Sequence, residues 1–92
     1  METPLFSIIT ITFNAESTLR PTLESVAAQT YKGYEYLIID GASRDATVEL
    51  ARQYPCVSHI VSEPDRGLYD AMNKGIAAAN GEYLIFLNAG DS

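Results

Sequence analysis

Several residues able to do chemistry share one context in this sequence: each closes an apolar run. Tyr36–Ile39 ends on Asp40, Tyr83–Leu87 ends on Asn88-Ala89-Gly90-Asp91, and Phe6–Thr12 ends on Phe13-Asn14. In an open α/β sheet, ligand and metal sites lie at the carboxyl ends of buried strands. Asp91 suits a hard divalent cation, which takes oxygen ligands and bridges to substrate phosphates. Asp40 suits a ring N–H or a ribose hydroxyl as an acceptor. Phe13 offers a ring face or its backbone to a flat heterocycle, and Arg66 offers positive charge to a diphosphate. Brought together, these groups would describe a nucleotide-diphosphate site.

Each also has a purely structural reading. Phe13 plugs the end of a sheet, Asp40 caps the turn at Ser43, Asp91 is simply solvated, and Arg66 pairs with Asp65 or Glu63. Asp70 and Lys74 are spaced i, i+4, which on a helix surface gives an ion pair of about 0.2–0.5 kcal/mol. His59 alternates within a short apolar run and reads as structural. Of the tyrosines, Tyr69 beside Gly67 falls near the same place. Sites of this kind gain weight only if the chain aims them at one point.

The elements that would do so are legible. Phe6–Thr12 is β-branched and aromatic and reads as a strand. Leu19, Leu23, Val26 and Ala27 share a helical face, with Pro21 in the first turn, where its missing N–H costs little. Tyr34–Asp40 is a second strand. Ser43 is the expected N-cap of a second helix, with Asp45 in its first turn, running through Val48, Leu50, Ala51 and Tyr54 to Pro55. Val57–Val61 is a third strand. Leu68, Ala71, Met72, Ile76 and Ala79 mark a third helix, with Gly81 expected in the left-handed position beyond its end. Tyr83–Leu87 then reads as a strand buried on both faces. Strands alternating with helices of this length imply right-handed crossovers and an α/β fold with a parallel sheet in the order 3-2-1-4, helices on both faces. That order gathers the ends of strands one, two and four at one crevice.

Composition narrows the partners. Six basic against twelve acidic residues give a net charge of −6, which argues against nucleic acid, since phosphate-backbone binding needs a basic surface. A lone cysteine, Cys56, cannot build a disulfide framework and points to a reducing compartment, here taken as the cytoplasm. No apolar run approaches the ~20 residues of a membrane span. No Gly-x-Gly-x-x-Gly follows the first strand and no Walker-type Gly-Lys-Ser/Thr is present, so a metal is favoured over a glycine loop for carrying phosphate charge.

Five blocks in register resemble glycosyltransferase family 2, whose members have the GT-A fold. These are Ser7–Asn14, Ser25–Tyr31, Ile38–Thr47, Ser62–Gly75 and Gly81–Asp91. The resemblance implies a Rossmann-like nucleotide-sugar-binding half, a nucleotide-diphosphate sugar donor, commonly linked to uridine diphosphate, and a divalent Mn or Mg ion. It places Thr12 and Phe13, with Asn14 adjoining, at the base pocket and Asp40 on the base. Arg66 falls near the diphosphate, and Asn88 to Asp91 at the metal motif, with Asp91 as the metal carboxylate. Two departures stand out: Asp40-Gly41 where many relatives have Asp-Asp, and a single aspartate, Asp91, where many have two or three.

By the same resemblance, residues 1–92 form one nucleotide-sugar-binding domain, the front part of an enzyme that inverts the anomeric centre as it transfers sugar to a carbohydrate or lipid-linked acceptor hydroxyl. The general base is expected elsewhere, so little transferase activity is expected of these residues alone. A strand at the sheet edge is expected to favour homo-oligomers. Two other readings compete: a Rossmann-like module that binds nucleotide without catalysis, and a receiver-like signalling domain. The second requires an acidic pair at the first strand end, where Thr12-Phe13-Asn14 stands instead.

Overall fold

The computed structural model describes residues 4–30 and 33–89. Four strands form one sheet: β1 (Phe6–Thr12), β2 (Tyr34–Asp40), β3 (His59–Ser62) and β4 (Tyr83–Phe86). They alternate with α1 (Leu19–Ala27), α2 (Thr47–Arg52) and α3 (Leu68–Ala78). Every pairing is parallel and the order is β3-β2-β1-β4, as expected from the alternation of elements.

Strand alternation divides the core into two layers. Ile8, Tyr36 and Ile38 face α1 and α2, where they meet Leu19, Leu23, Val26, Leu50 and Ala51. Ile9, Leu37 and Ile39 face the other way and meet Ala71 of α3. Gly75 lets α3 lie close: a Cβ there would stand 2.9 Å from Cγ2 of Ile9. The result is a three-layer sandwich with helices on both faces. Tyr36 is fully buried, and its hydroxyl lies 2.8 Å from that of Thr10. Burial pushes its pKa up to about 12, although the Thr10 hydrogen bond pulls the other way.

Three local expectations are corrected. Ser43 does not cap α2; the cap position is Ala46, and Asp45, one residue earlier, accepts the N–H and hydroxyl of Thr47. Gly81 is not left-handed, because Gly67 is the one described glycine with positive φ, at 116°. Gly81 is needed for another reason: a Cβ would come within 2.7 Å of the backbone of Phe6 and Ser7. And β4 is not buried on both faces. All four of its residues are exposed, because it borders the sheet and α3 packs on β1 and β2 instead.

Candidate functional site

Register decides what the strand ends present. Thr12 pairs with Asp40, and Asp40 with Ser62, so three polar residues form one row across β1, β2 and β3. Asp40 is 1% exposed. Its Oδ1 accepts the hydroxyls of Thr12 (2.6 Å) and Ser43 (2.5 Å), and its Oδ2 accepts the Ser43 N–H (2.8 Å) and the Ser62 hydroxyl (2.9 Å). Burial alone would raise the Asp40 pKa; the bonds from Ser43, Thr12 and Ser62 outweigh it and hold the carboxyl below its ordinary range. The charge therefore stays on, enclosed by the protein's own donors.

From this hub the loops after β1 and β2 are laced together. Ser43 Oγ, donating to Asp40, also accepts the backbone N–H of Asn14 at 2.8 Å. The Asn14 side chain accepts the N–H of Arg44 at 2.9 Å. Thr47 Oγ1 accepts the N–H of Ala15 at 2.8 Å, and Glu16 accepts that of Ala46 at 3.2 Å. Asn14 (φ 49°) and Ala42 (φ 63°) take left-handed backbone to make these bends. Such strain is held only where surrounding bonds over-determine it, and it is common at functional loops.

Beside the lacing lies an open hollow of about 370 Å³ lined by Ile11, Thr12, Phe13, Asp65, Gly67, Leu68 and Ala71. The Phe13 ring is 65% exposed at its rim. Gly41 leaves the wall thin: a Cβ there would meet Asp65 Oδ2 at 2.9 Å and the Phe13 ring at 3.4 Å. A second depression of about 150 Å³ is lined by Ile9, Ile11, Leu68, Met72, Phe86, Leu87 and Asn88, so it shares Ile11 and Leu68 with the first. Thr12 and Phe13 line the first hollow and Asn88 the second, and the two adjoining hollows are together called the furrow below. Asp40 is not among the lining residues: it is buried behind Thr12, with its carboxylate taken up by Thr12, Ser43 and Ser62. Asn14 joins the loops, and Arg66 is exposed on the turn between Asp65 and Gly67. Asp65 lines the hollow, although in the sequence it stands out only as a partner for Arg66. The signal that could have found it is its place just before the start of α3, where a loop residue can face a strand end.

Asp91, the expected metal ligand, lies outside the described residues. Among those described, no group of three or more His, Cys, Asp or Glu side chains could hold a metal ion. Likewise no described helix is long and apolar enough to cross a membrane.

The profile of the family described as "Glycosyl transferase family 2" matches residues 7–91. The chain belongs to glycosyl transferase family 2. An uncharacterized glycosyltransferase of Mycobacterium tuberculosis is 48% identical over 90 residues, which is 96% of this chain and 34% of the relative. A PGL/p-HBAD biosynthesis glycosyltransferase of Mycobacterium bovis is 41% identical, across 100% of this chain and 38% of its own length. The chain therefore spans little more than a third of these family members. Among solved structures, Staphylococcus aureus TarS 1-349 superposes with a TM-score of 0.86 at 25% identity, covering 94% of this chain and 27% of that one. The mannosyltransferase PcManGT of Pyrobaculum calidifontis, in complex with GDP-Man and Mn2+, gives 0.85 at 26%, covering 97% and 28%. The sheet and its helices are thus the Rossmann-like half of a GT-A fold.

Proposed function

We propose that this chain is the donor-binding part of a glycosyltransferase that moves a sugar from a nucleotide-diphosphate sugar to an acceptor hydroxyl, with inversion. The observation that carries the reading is the furrow between Phe13 and Asn88, open at the carboxyl ends of β1 and β4. Its Phe13 end offers an exposed ring for a base to stack on. Behind that end the Thr12–Asp40–Ser62 row, tied to the loop through Ser43, is a rigid support. Arg66 stands at the neighbouring turn as the cation for the diphosphate. PcManGT, similar over nearly the whole chain, was solved with a nucleotide-diphosphate sugar and Mn2+. On that likeness a divalent ion, Mn or Mg, is part of the proposal, with Asp91 as its carboxylate; such an ion would stabilise the departing diphosphate.

The residues described hold and orient the donor. Phe13 fixes the plane of the base, and the apolar wall of Ile11, Leu68 and Ala71 excludes water behind it. The acceptor, a carbohydrate or lipid-linked hydroxyl, and the general base are assigned to other parts of the enzyme, and the reaction to the cytoplasm. The deciding experiment is titration of uridine diphosphate and guanosine diphosphate into the protein, with and without Mn. Micromolar to millimolar binding of one of them, weakened at least tenfold by Phe13→Ala, is the expected result. Binding of neither nucleotide would sink the reading.

A further inference from the structure

Lys74 lies in the second half of α3, yet its ammonium reaches back to the chain ahead of the helix. It donates to the carbonyl of Pro64 at 2.8 Å and stands 3.3 Å from Glu63 Oε1 and 3.6 Å from Asp70 Oδ2. Its side chain is only 22% exposed. Asp70 in turn accepts the backbone N–H of Arg66 at 2.9 Å, and Asp65 accepts that of Gly67 at 3.2 Å. The N–H of Glu63 is bonded to the carbonyl of Asp40 at 3.0 Å. The i, i+4 pair expected to be a surface ion pair is therefore the base of a clamp on residues 63–67.

The clamp has a direction. It takes hold of the backbone of Pro64 and Arg66 and leaves the Arg66 guanidinium with no hydrogen bond or ion pair among the described residues. The same bend turns Asp65 toward Gly41 and Phe13. A simple surface charge pair would leave the lysine in solvent, whereas Lys74 is half-buried and reaches a carbonyl ten residues away.

We propose that Lys74 and Asp70 are positioning residues of the donor site, which hold the Glu63–Gly67 loop so that Arg66 meets the diphosphate. This rests on the nucleotide-sugar reading of the furrow. Neither residue touches the ligand; both act through the direction in which Arg66 leaves the backbone. The replacement of Lys74 by methionine keeps the length of the side chain and removes the charge, whereas arginine keeps the charge and the donors.

The test is a double-mutant cycle read on two probes, uridine diphosphate and uridine, titrated into the protein and its Lys74→Met, Lys74→Arg, Arg66→Ala and Lys74→Met/Arg66→Ala variants. Lys74→Met is expected to weaken uridine diphosphate about tenfold while leaving uridine within about twofold. Lys74→Arg recovers most of the loss. In the Lys74→Met background, Arg66→Ala costs little more, because coupled residues do not add. Additive losses, or equal weakening of both probes, would overturn the proposal and leave Lys74 a stability residue. Should Lys74→Met fail to fold, Asp70→Asn replaces it in the same cycle, with the same expected and overturning results. An unmodified protein that binds neither probe would bring down the donor-site reading, and this proposal with it.

Discussion

Asp40 illustrates how a residue type can be legible in sequence while its surroundings are not. A carboxylate at the end of a strand is visible in sequence, but the face it points to depends on register. With four internal donors on it, Asp40 organises Thr12, Ser43 and Ser62 before it can serve any ligand. Replacing it with asparagine puts an amide NH2 where donors converge. A loss of about 2 kcal/mol in denaturant unfolding is expected, since charged hydrogen bonds contribute roughly that much. A change below about 0.5 kcal/mol would show that the row is not structural. Glu35 plays a similar part at the other end of the sheet. It accepts the Ser7 hydroxyl at 2.6 Å and the Asn80 N–H at 2.5 Å. Burial raises its pKa, but the bonds from Ser7 and Asn80, with His59 nearby, lower it overall. Both folded-state pKa values lie below the ordinary 3.8 and 4.5. Their stabilisation is therefore complete above those values and is lost as pH falls through the lower folded ones. Unfolding midpoints should hold from neutral pH down to about pH 5 and drop steeply below about pH 4. Asp40→Asn should make that drop shallower; an unchanged acid limb would count against it.

Among the elements, the junction of α3 with β4 is the tightest. Gly81 passes so close to β1 that a Cβ would meet the backbone of Phe6 and Ser7 as well as the Ser7 Oγ, each at 2.7 Å. Gly81→Ala should cost about 2–3 kcal/mol, within the range for overpacking. Gly75→Ala, which would meet the Ile9 side chain at 2.9 Å rather than backbone, should cost less. The order of the two midpoints checks the claim, and a milder Gly81 variant would contradict it. The helix-end pattern Asn80-Gly81 invited a left-handed reading, because that is the common use of glycine past a helix. Here the crossover back to a parallel neighbour requires close approach instead. The loops after β1 and β2 likewise depend on long-range bonds. Thr47 is fully buried, and its hydroxyl both donates to Asp45 and accepts from Ala15. Thr47→Val keeps the shape and orphans the Ala15 N–H. About 1–2 kcal/mol should be lost, with faster amide exchange at Ala15 and Glu16; unchanged exchange there would refute the lacing.

At the scale of the whole molecule, β4 is an apolar strand left exposed at the sheet edge. Tyr83, Leu84, Ile85 and Phe86 are between 38% and 58% exposed along an edge with unpaired backbone groups. Such an edge pairs readily with another chain. We expect the 92-residue chain to self-associate through β4, opposed by its net charge of −6 and so more strongly at high salt. Sedimentation at increasing concentration checks this, with Ile85→Lys expected to return it to monomer. A monodisperse monomer at high concentration would exclude it.

By itself the sequence determined the elements, their order and the family, because period-2 and period-3.6 patterns are local and five motifs keep their spacing. It also placed Thr12, Phe13 and Asn88 at the carboxyl ends of two strands that pair. Tertiary structure decided what those ends present. Long-range hydrogen bonds enclosed Asp40 behind Thr12, and the turn ahead of α3 brought Asp65 to the hollow. Only through-space distance showed that Lys74 holds a loop rather than decorating a helix, because its partner carbonyl lies ten residues away along a chain that has turned back on itself.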